Sequence, residues 1–116
     1  MTIEERSVGS AVIVDLKGRL AVADGDGLLK DKVQSLVLQG HRQIVLNFAQ
    51  LSSIDSSGLG EVVATYVTAT RNNAELRVIN LTARVSDLLV ITRILTVLDV
   101  CASEEEALRS FSSSSV

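Results

Sequence analysis

Apolar residues recur along this chain with two different periods, and the changes between them mark out the elements. Residues 11–16 alternate and are rich in β-branched side chains, the pattern of a strand, and residues 2–8 pair with them through a turn at Gly9-Ser10. Residues 18–27 carry glycines and acids and read as a loop. Leu28, Leu29, Val33, Leu36 and Val37 then fall at helical spacing, and Gly40 ends that helix. A second strand follows at residues 43–48. Leu59, Val62, Val63, Tyr66 and Val67 take the i, i+3, i+4, i+7, i+8 spacing of a helix that buries one face, and Arg71-Asn72-Asn73 closes it. Residues 76–79 form a third strand. Residues 82–95 predict a helix capped by Thr82, and its run Leu88-Leu89-Val90-Ile91 is apolar on every side, which predicts a well-buried helix, with Val90 or Ile91 as a partner patch the alternative. Residues 97–101 make a short last strand. Ser103, with Glu106 in capping-box spacing, starts a final helix whose first turn, Glu104-Glu105-Glu106, reads as solvated.

Strands that alternate with helices pair in parallel through crossovers. The expected architecture is therefore α/β: a mostly parallel sheet of four to five strands with a leading β-hairpin, packed against about four helices. Residues 1–111 read as a single domain and the serine-rich residues 112–116 as a disordered tail. No internal repeat is present.

The composition narrows the possible functions. The chain has 116 residues, 47% hydrophobic and 22% charged, with only 3% aromatic and neither Trp nor Pro, so its core is aliphatic. Phe48, Tyr66 and Phe111 are the only rings, too few for a base-stacking platform. The net charge of -3 and the lack of any Lys/Arg stripe exclude nucleic acid as the expected partner. No apolar run reaches the ~20 residues of a membrane span, and residues 1–10 are too polar for a signal peptide, so a cytoplasmic protein with no membrane partner is expected. Cys101, the single cysteine, excludes an intrachain disulfide and reads as a small core hydrophobe. His41 alone makes no metal site, and no cofactor is expected.

Reactive side chains gather at one place, Asp55-Ser56-Ser57-Gly58-Leu59-Gly60, where the second strand gives way to a helix. Asp and Ser are good N-caps because their oxygens accept the free N–H groups of a first helical turn. A capping box is absent, since Ser57 has Gly60 three residues on. Catalysis fits poorly. A serine-hydrolase elbow needs Gly-x-Ser-x-Gly, and neither serine has a glycine two residues earlier. The single histidine, His41, precedes its strand and belongs to the opposite end of the sheet. Gly58-Leu59-Gly60 begins like a dinucleotide fingerprint, but the third glycine falls on Val63. There is no Walker-type Gly-Lys-Ser/Thr, and Gly25-Asp26-Gly27 reads as loop chemistry.

The run from Leu51 to Gly60, above all Asp55-Ser56-Ser57-Gly58-Leu59-Gly60, resembles the signature of the STAS family, the domain shared by sulfate transporters and bacterial anti-sigma factor antagonists. The resemblance extends over nearly the whole chain: Leu16-x-Gly18-x-Leu20, the strand at residues 44–48, and residues 76–80 followed by 85–89 match the family pattern in order. It implies the STAS fold and a non-enzymatic anti-sigma factor antagonist that regulates sigma-factor-dependent transcription. In such antagonists the serine right after the aspartate, here Ser56, is phosphorylated by the partner anti-sigma factor, a GHKL-type serine kinase. The unphosphorylated form binds that partner, phosphorylation releases it, and a PP2C-type phosphatase restores the serine. Partner contacts are then expected at Asp55, Ser57, Gly58, Leu59 and Gly60, with Ala21, Asp24 and Thr92 as lesser contributors. Two departures stand out: Ala21 replaces an acidic residue common in antagonists, and Thr92-Arg93 stands where the family often has glycine. The resemblance also admits a scaffold subunit of a stress-sensing or lipid-transport ATPase complex, or a weak nucleotide-binding domain, and leaves a homodimer open.

Overall fold

The computed structural model describes residues 2–20, 27–93 and 98–111. Their backbone forms β1 (Thr2–Val8), β2 (Ala11–Leu20), α1 (Leu28–Leu38), β3 (Gln43–Ile54), α2 (Ser56–Arg71), β4 (Glu75–Ile79), α3 (Ala83–Ile91), β5 (Val100–Cys101) and α4 (Glu104–Ser110). The strands build one sheet in the order β1-β2-β3-β4-β5. β1 pairs antiparallel with β2, and every later pair is parallel. The α/β class, the leading hairpin and the mostly parallel sheet are those the sequence pattern predicts.

Each parallel connection steps one strand further in the same direction. Crossovers are right-handed, so this winding puts all three connecting helices on one face of the sheet. The side chains sort accordingly. Val12, Val14 and Leu16 of β2, Ile44, Leu46 and Phe48 of β3, and Leu76 and Val78 of β4 meet Leu29 and Val33 of α1, Leu59 and Val62 of α2, and Val85 and Leu89 of α3 in one large core. The alternate residues Ala11, Ile13, Val45 and Ile79 form a second, smaller core with Ala107 and Phe111 at the C-terminal helix. Arg77 fastens that helix, since its guanidinium lies 5.0 Å from the Phe111 ring centroid and donates to Ser110 Oγ at 2.9 Å.

With 7 residues, α4 is only about 10 Å long and leaves much of its face open. There a hollow of about 250 Å³ is lined by Arg6, Asp15, Lys17, Asn47 and Gln50 among others. Its charges are matched internally: Arg6 donates to Asp15 at 2.7 Å and to Glu104 at 2.9 Å, and Asn47 donates to Asp15 at 2.8 Å.

Several elements differ from the sequence expectation. β2 runs on to Leu20 and β3 to Ile54, well past the segments the pattern marked. Beyond a bulge, where Asp15↔Asn47 shifts to Lys17↔Gln50, the two strands keep pairing with each other. Neighbour pairing thus carries Gly18, Ser52 and Ser53 as strand despite their weak β propensity. The fully buried α3 is also corrected. Val85 and Leu89 are buried, but Val90 and Ile91 are 57% and 78% exposed, because only one side of this helix meets the sheet. Glu104 is tied to Arg6 instead of standing free in solvent. Cys101 is half-buried against the smaller core. The final helix starts as expected, with Ser103 Oγ accepting the Glu106 N–H at 3.1 Å and Glu106 accepting the Ala102 N–H at 3.0 Å. Ala21, Asp24 and the serine-rich tail lie outside the described residues.

The start of α2 is fixed by a close approach to β2. The Asp55 N–H donates to the Leu20 carbonyl at 3.3 Å, and Gly58 lies over the same group. A Cβ on Gly58 would collide with the Leu20 carbonyl oxygen and come within 2.7 Å of its carbon, whereas one on Gly60 would meet open space. Gly58→Ala is therefore expected to destabilise the protein by about 1–3 kcal/mol through forced displacement of β2. Gly60→Ala, at an exposed helical position, should be neutral or stabilising by up to about 1 kcal/mol. Urea unfolding of both variants checks this, and equal effects would contradict the assigned contact.

Candidate functional site

β3 delivers the chain to Asp55 in an extended conformation, φ -105 and ψ -178, and α2 begins at the next residue. Asp55 is the N-cap. Its Oδ1 accepts the Gly58 N–H at 2.8 Å and the Ser57 hydroxyl at 2.6 Å. These donors favour the charged form, the Ser57 hydroxyl most and the Gly58 N–H next, so the carboxyl sits below its ordinary value of 3.8 with a further contribution from the Arg19 charge. The exposed turn thus carries a carboxylate whose acceptor capacity is partly used by its own helix.

Ser56 is the first helical residue and is exposed. Its hydroxyl makes no hydrogen bond among the described residues, unlike that of Ser57, which is held by Asp55. Among the described residues no histidine lies near it. His41 precedes β3, a strand of 12 residues and thus about 40 Å long, while Ser56 follows its far end.

The other sequence-predicted residues divide. Asp55, Ser57 and Gly60 share the exposed turn with Ser56, whereas Gly58 and Leu59 are buried in the packing beneath it. Thr92 is the C-cap of α3, its hydroxyl turned back to the Leu88 carbonyl at 2.7 Å. Since α3 starts beyond the C-terminal end of β4 and runs back along the sheet, Thr92 belongs to the opposite end from the serine turn.

Three further residues shape the site: Leu20, which the sequence reading met in the Leu16-x-Gly18-x-Leu20 pattern, and Arg19 and Glu61, which escaped it. Leu20 supplies the carbonyl under Gly58. Arg19, opposite Ser53 in the β2–β3 register, adds positive charge near Asp55. Glu61 is buried at 7% exposure, and its Oε2 accepts the N–H groups of Leu29 at 2.8 Å and Lys30 at 3.1 Å. Its signal was available: Glu61 stands three residues after Gly58 and four before Thr65, both on the buried face of α2. Among the described residues no group of three His, Cys, Asp or Glu can hold a metal ion, and no helix is long and apolar enough to cross a membrane.

Known proteins carry the same framework. TM1081 of Thermotoga maritima, described as an anti-sigma factor antagonist, superposes with a TM-score of 0.83 at 20% identity over 92% of each chain. The anti-sigma factor antagonist SpoIIAA in its unphosphorylated form gives a TM-score of 0.68 at 22% identity, covering 95% of this chain and 100% of its own. The phosphorylated form of Bacillus SpoIIAA, a cell fate determinant, gives 0.68 at 23% identity over 93% and 97% of the two chains. At these identities the likeness establishes a common fold. A family model of the STAS domain matches residues 2–107, nearly the whole chain, and the protein thus belongs to the STAS domain family.

Proposed function

We propose that this protein is an anti-sigma factor antagonist whose binding surface is the turn at the start of α2, and that Ser56 is the residue through which a partner kinase switches it off. The observation that carries the reading is the contrast between two adjacent serines: the Ser56 hydroxyl is exposed and makes no hydrogen bond among the described residues, and the Ser57 hydroxyl is bound to the cap. That SpoIIAA, with the same fold, is known in both unphosphorylated and phosphorylated forms supports it. The unphosphorylated turn docks on a GHKL-type anti-sigma factor. Phosphorylation by that partner ends the complex, and a PP2C-type phosphatase reverses it. A weak nucleotide-binding domain is disfavoured, because a sheet wound in one direction has no switch point at which a crevice opens between strand ends.

The physics of the modification fits a switch at the interface. A phosphoserine adds about -1.5 to -2 charges near pH 7. On Ser56 it meets the free N–H groups and positive dipole end of α2, worth about 0.3–1 kcal/mol in its favour. In a packed interface the same charge must be desolvated beside the ionised Asp55, a penalty of several kcal/mol. The fold tolerates the phosphate and the complex does not.

Incubation with a GHKL-type anti-sigma factor of the same organism and ATP, followed by mass spectrometry, is expected to place one phosphate on Ser56. The Ser56→Ala protein should stay unmodified and Ser57→Ala should still be phosphorylated; transfer of the phosphate to Ser57 would refute the assignment. Ser56→Asp is expected to keep its melting temperature within a few degrees of wild type while losing affinity for the anti-sigma factor by ten-fold or more, on the order of 1.4 kcal/mol. Gross unfolding of that variant would refute the interface account. The cap gives a pH dependence as well. The folded carboxyl of Asp55 lies below its unfolded value, so its stabilisation is present above the ordinary value of 3.8 and fades as pH falls through the lower folded value. Asp55→Asn removes that titration, so its loss of stability relative to wild type should be greatest near neutral pH and shrink in acid, as read from urea midpoints across the range.

A further inference from the structure

Glu61 is a poor choice for stability alone. It is an acid at 7% exposure on the inner face of α2, where Val62 and Leu59 show what the core accepts. Burying a carboxylate carries a large desolvation penalty, and an apolar residue in its place is often neutral or stabilising. Only one of its oxygens is compensated. Oε2 takes the Leu29 and Lys30 N–H groups, while Oε1 is buried without a hydrogen-bond partner among the described residues. The helix that Glu61 serves lacks a cap of its own, for the N-cap position of α1 is Gly27, in the left-handed region at φ 82 with no side-chain bond to the first turn. The carboxylate of one helix thus does the work that a Ser or Asp at position 27 would do locally.

The consequence is geometric. The described chain leaves β2 at Leu20 and resumes at Gly27, and both points are fastened to the first two turns of α2. Leu20 is held by the Asp55 N–H and the close approach of Gly58. Leu29 and Lys30 are held by Glu61. A local cap would satisfy the same N–H groups without bonding the start of α1 to α2, leaving side-chain packing alone to hold the two together.

We propose that Glu61 is a positioning residue of the serine turn: by capping α1 across the helix pair, it locks the start of α1 against the start of α2 and so presents the surface around Ser56 to a protein partner in one arrangement. This rests on the reading of that turn as a phosphorylatable docking surface. The acceptor oxygen is what matters, so Glu61→Gln, which keeps one, preserves the arrangement, and Glu61→Leu, which keeps only the bulk, loses it.

Two measurements on the full chain test this. Amide hydrogen exchange by NMR, which needs no partner, reads the clamp itself. Glu61→Leu should speed exchange at Leu29 and Lys30 by about ten-fold or more while amides in the middle of α2 keep their protection, and Glu61→Gln should stay near wild type. Kinetics of Ser56 phosphorylation by the GHKL-type anti-sigma factor read the docking. Glu61→Leu should raise KM several-fold with kcat little changed, and Glu61→Gln should restore it. Wild-type exchange at Leu29 and Lys30 in Glu61→Leu, an unchanged KM despite loosened amides, or a Gln variant as impaired as Leu would each overturn the proposal. If Glu61→Leu does not fold, the comparison of Glu61→Gln with wild type decides: preserved exchange and KM support it, and loss of either overturns it. A wild-type protein that takes no phosphate on Ser56 would instead overturn the docking reading, and the exchange data alone would then decide whether the clamp exists.

Discussion

The direction in which the sheet is wound governs the rest of this molecule. Three parallel crossovers that all step the same way, each right-handed, have one face on which to lay their helices. That single choice gives the large core its three-helix cover and leaves the other face to α4, held down by the Arg77–Phe111 contact. It also removes the usual place for a ligand. A sheet with a reversal in strand order opens a crevice at the reversal, and this one has none. At the C-terminal end of β3 stands a turn whose Ser56 hydroxyl makes no hydrogen bond among the described residues.

At that turn, small and large electrostatic effects point in different directions, and their sizes decide the behaviour. A helix N-terminus gains at most about 1 kcal/mol from an added anion at an exposed position. Exclusion of water from the same anion in a protein interface costs several times as much. On the proposed reading, phosphorylation of Ser56 would therefore barely move the folding equilibrium and strongly move the binding one. The Asp55 carboxylate sharpens the contrast, since the Ser57 hydroxyl and the Gly58 N–H keep it ionised while leaving it next to Ser56.

Much of this was legible in the sequence because it follows from local rules. The period-two runs located the strands, the i, i+3, i+4 spacing located α1 and α2, and Asp55, Thr82 and Ser103 were recognisable as caps. What was not legible depended on pairing between distant segments. The polar ends of β2 and β3 are strands because each is the other's partner. The exposure of Val90 and Ile91 follows from α3 having a single packed side, which composition alone does not reveal. Gly58, which in the sequence begins like a dinucleotide fingerprint, is the point where two backbones touch. Glu61 was passed over because its partner N–H groups lie 31 and 32 residues away in the chain.

The same structural reasoning bears on why position 56 is a serine. Asp55 is needed to cap α2, and Ser57 supports that cap with its hydroxyl. Gly58 is required by the Leu20 carbonyl and Leu59 by the core. The Ser56 side chain is exposed and makes no hydrogen bond among the described residues. The first position of a helix accepts many residues, and Pro or a good helix former suits it at least as well as serine. The described fold therefore supplies a reason for Asp55, Ser57, Gly58 and Leu59 and none for the hydroxyl of Ser56. A hydroxyl that makes no hydrogen bond among the described residues, at the exposed positive end of a helix, is the group that the proposed phosphorylation would use.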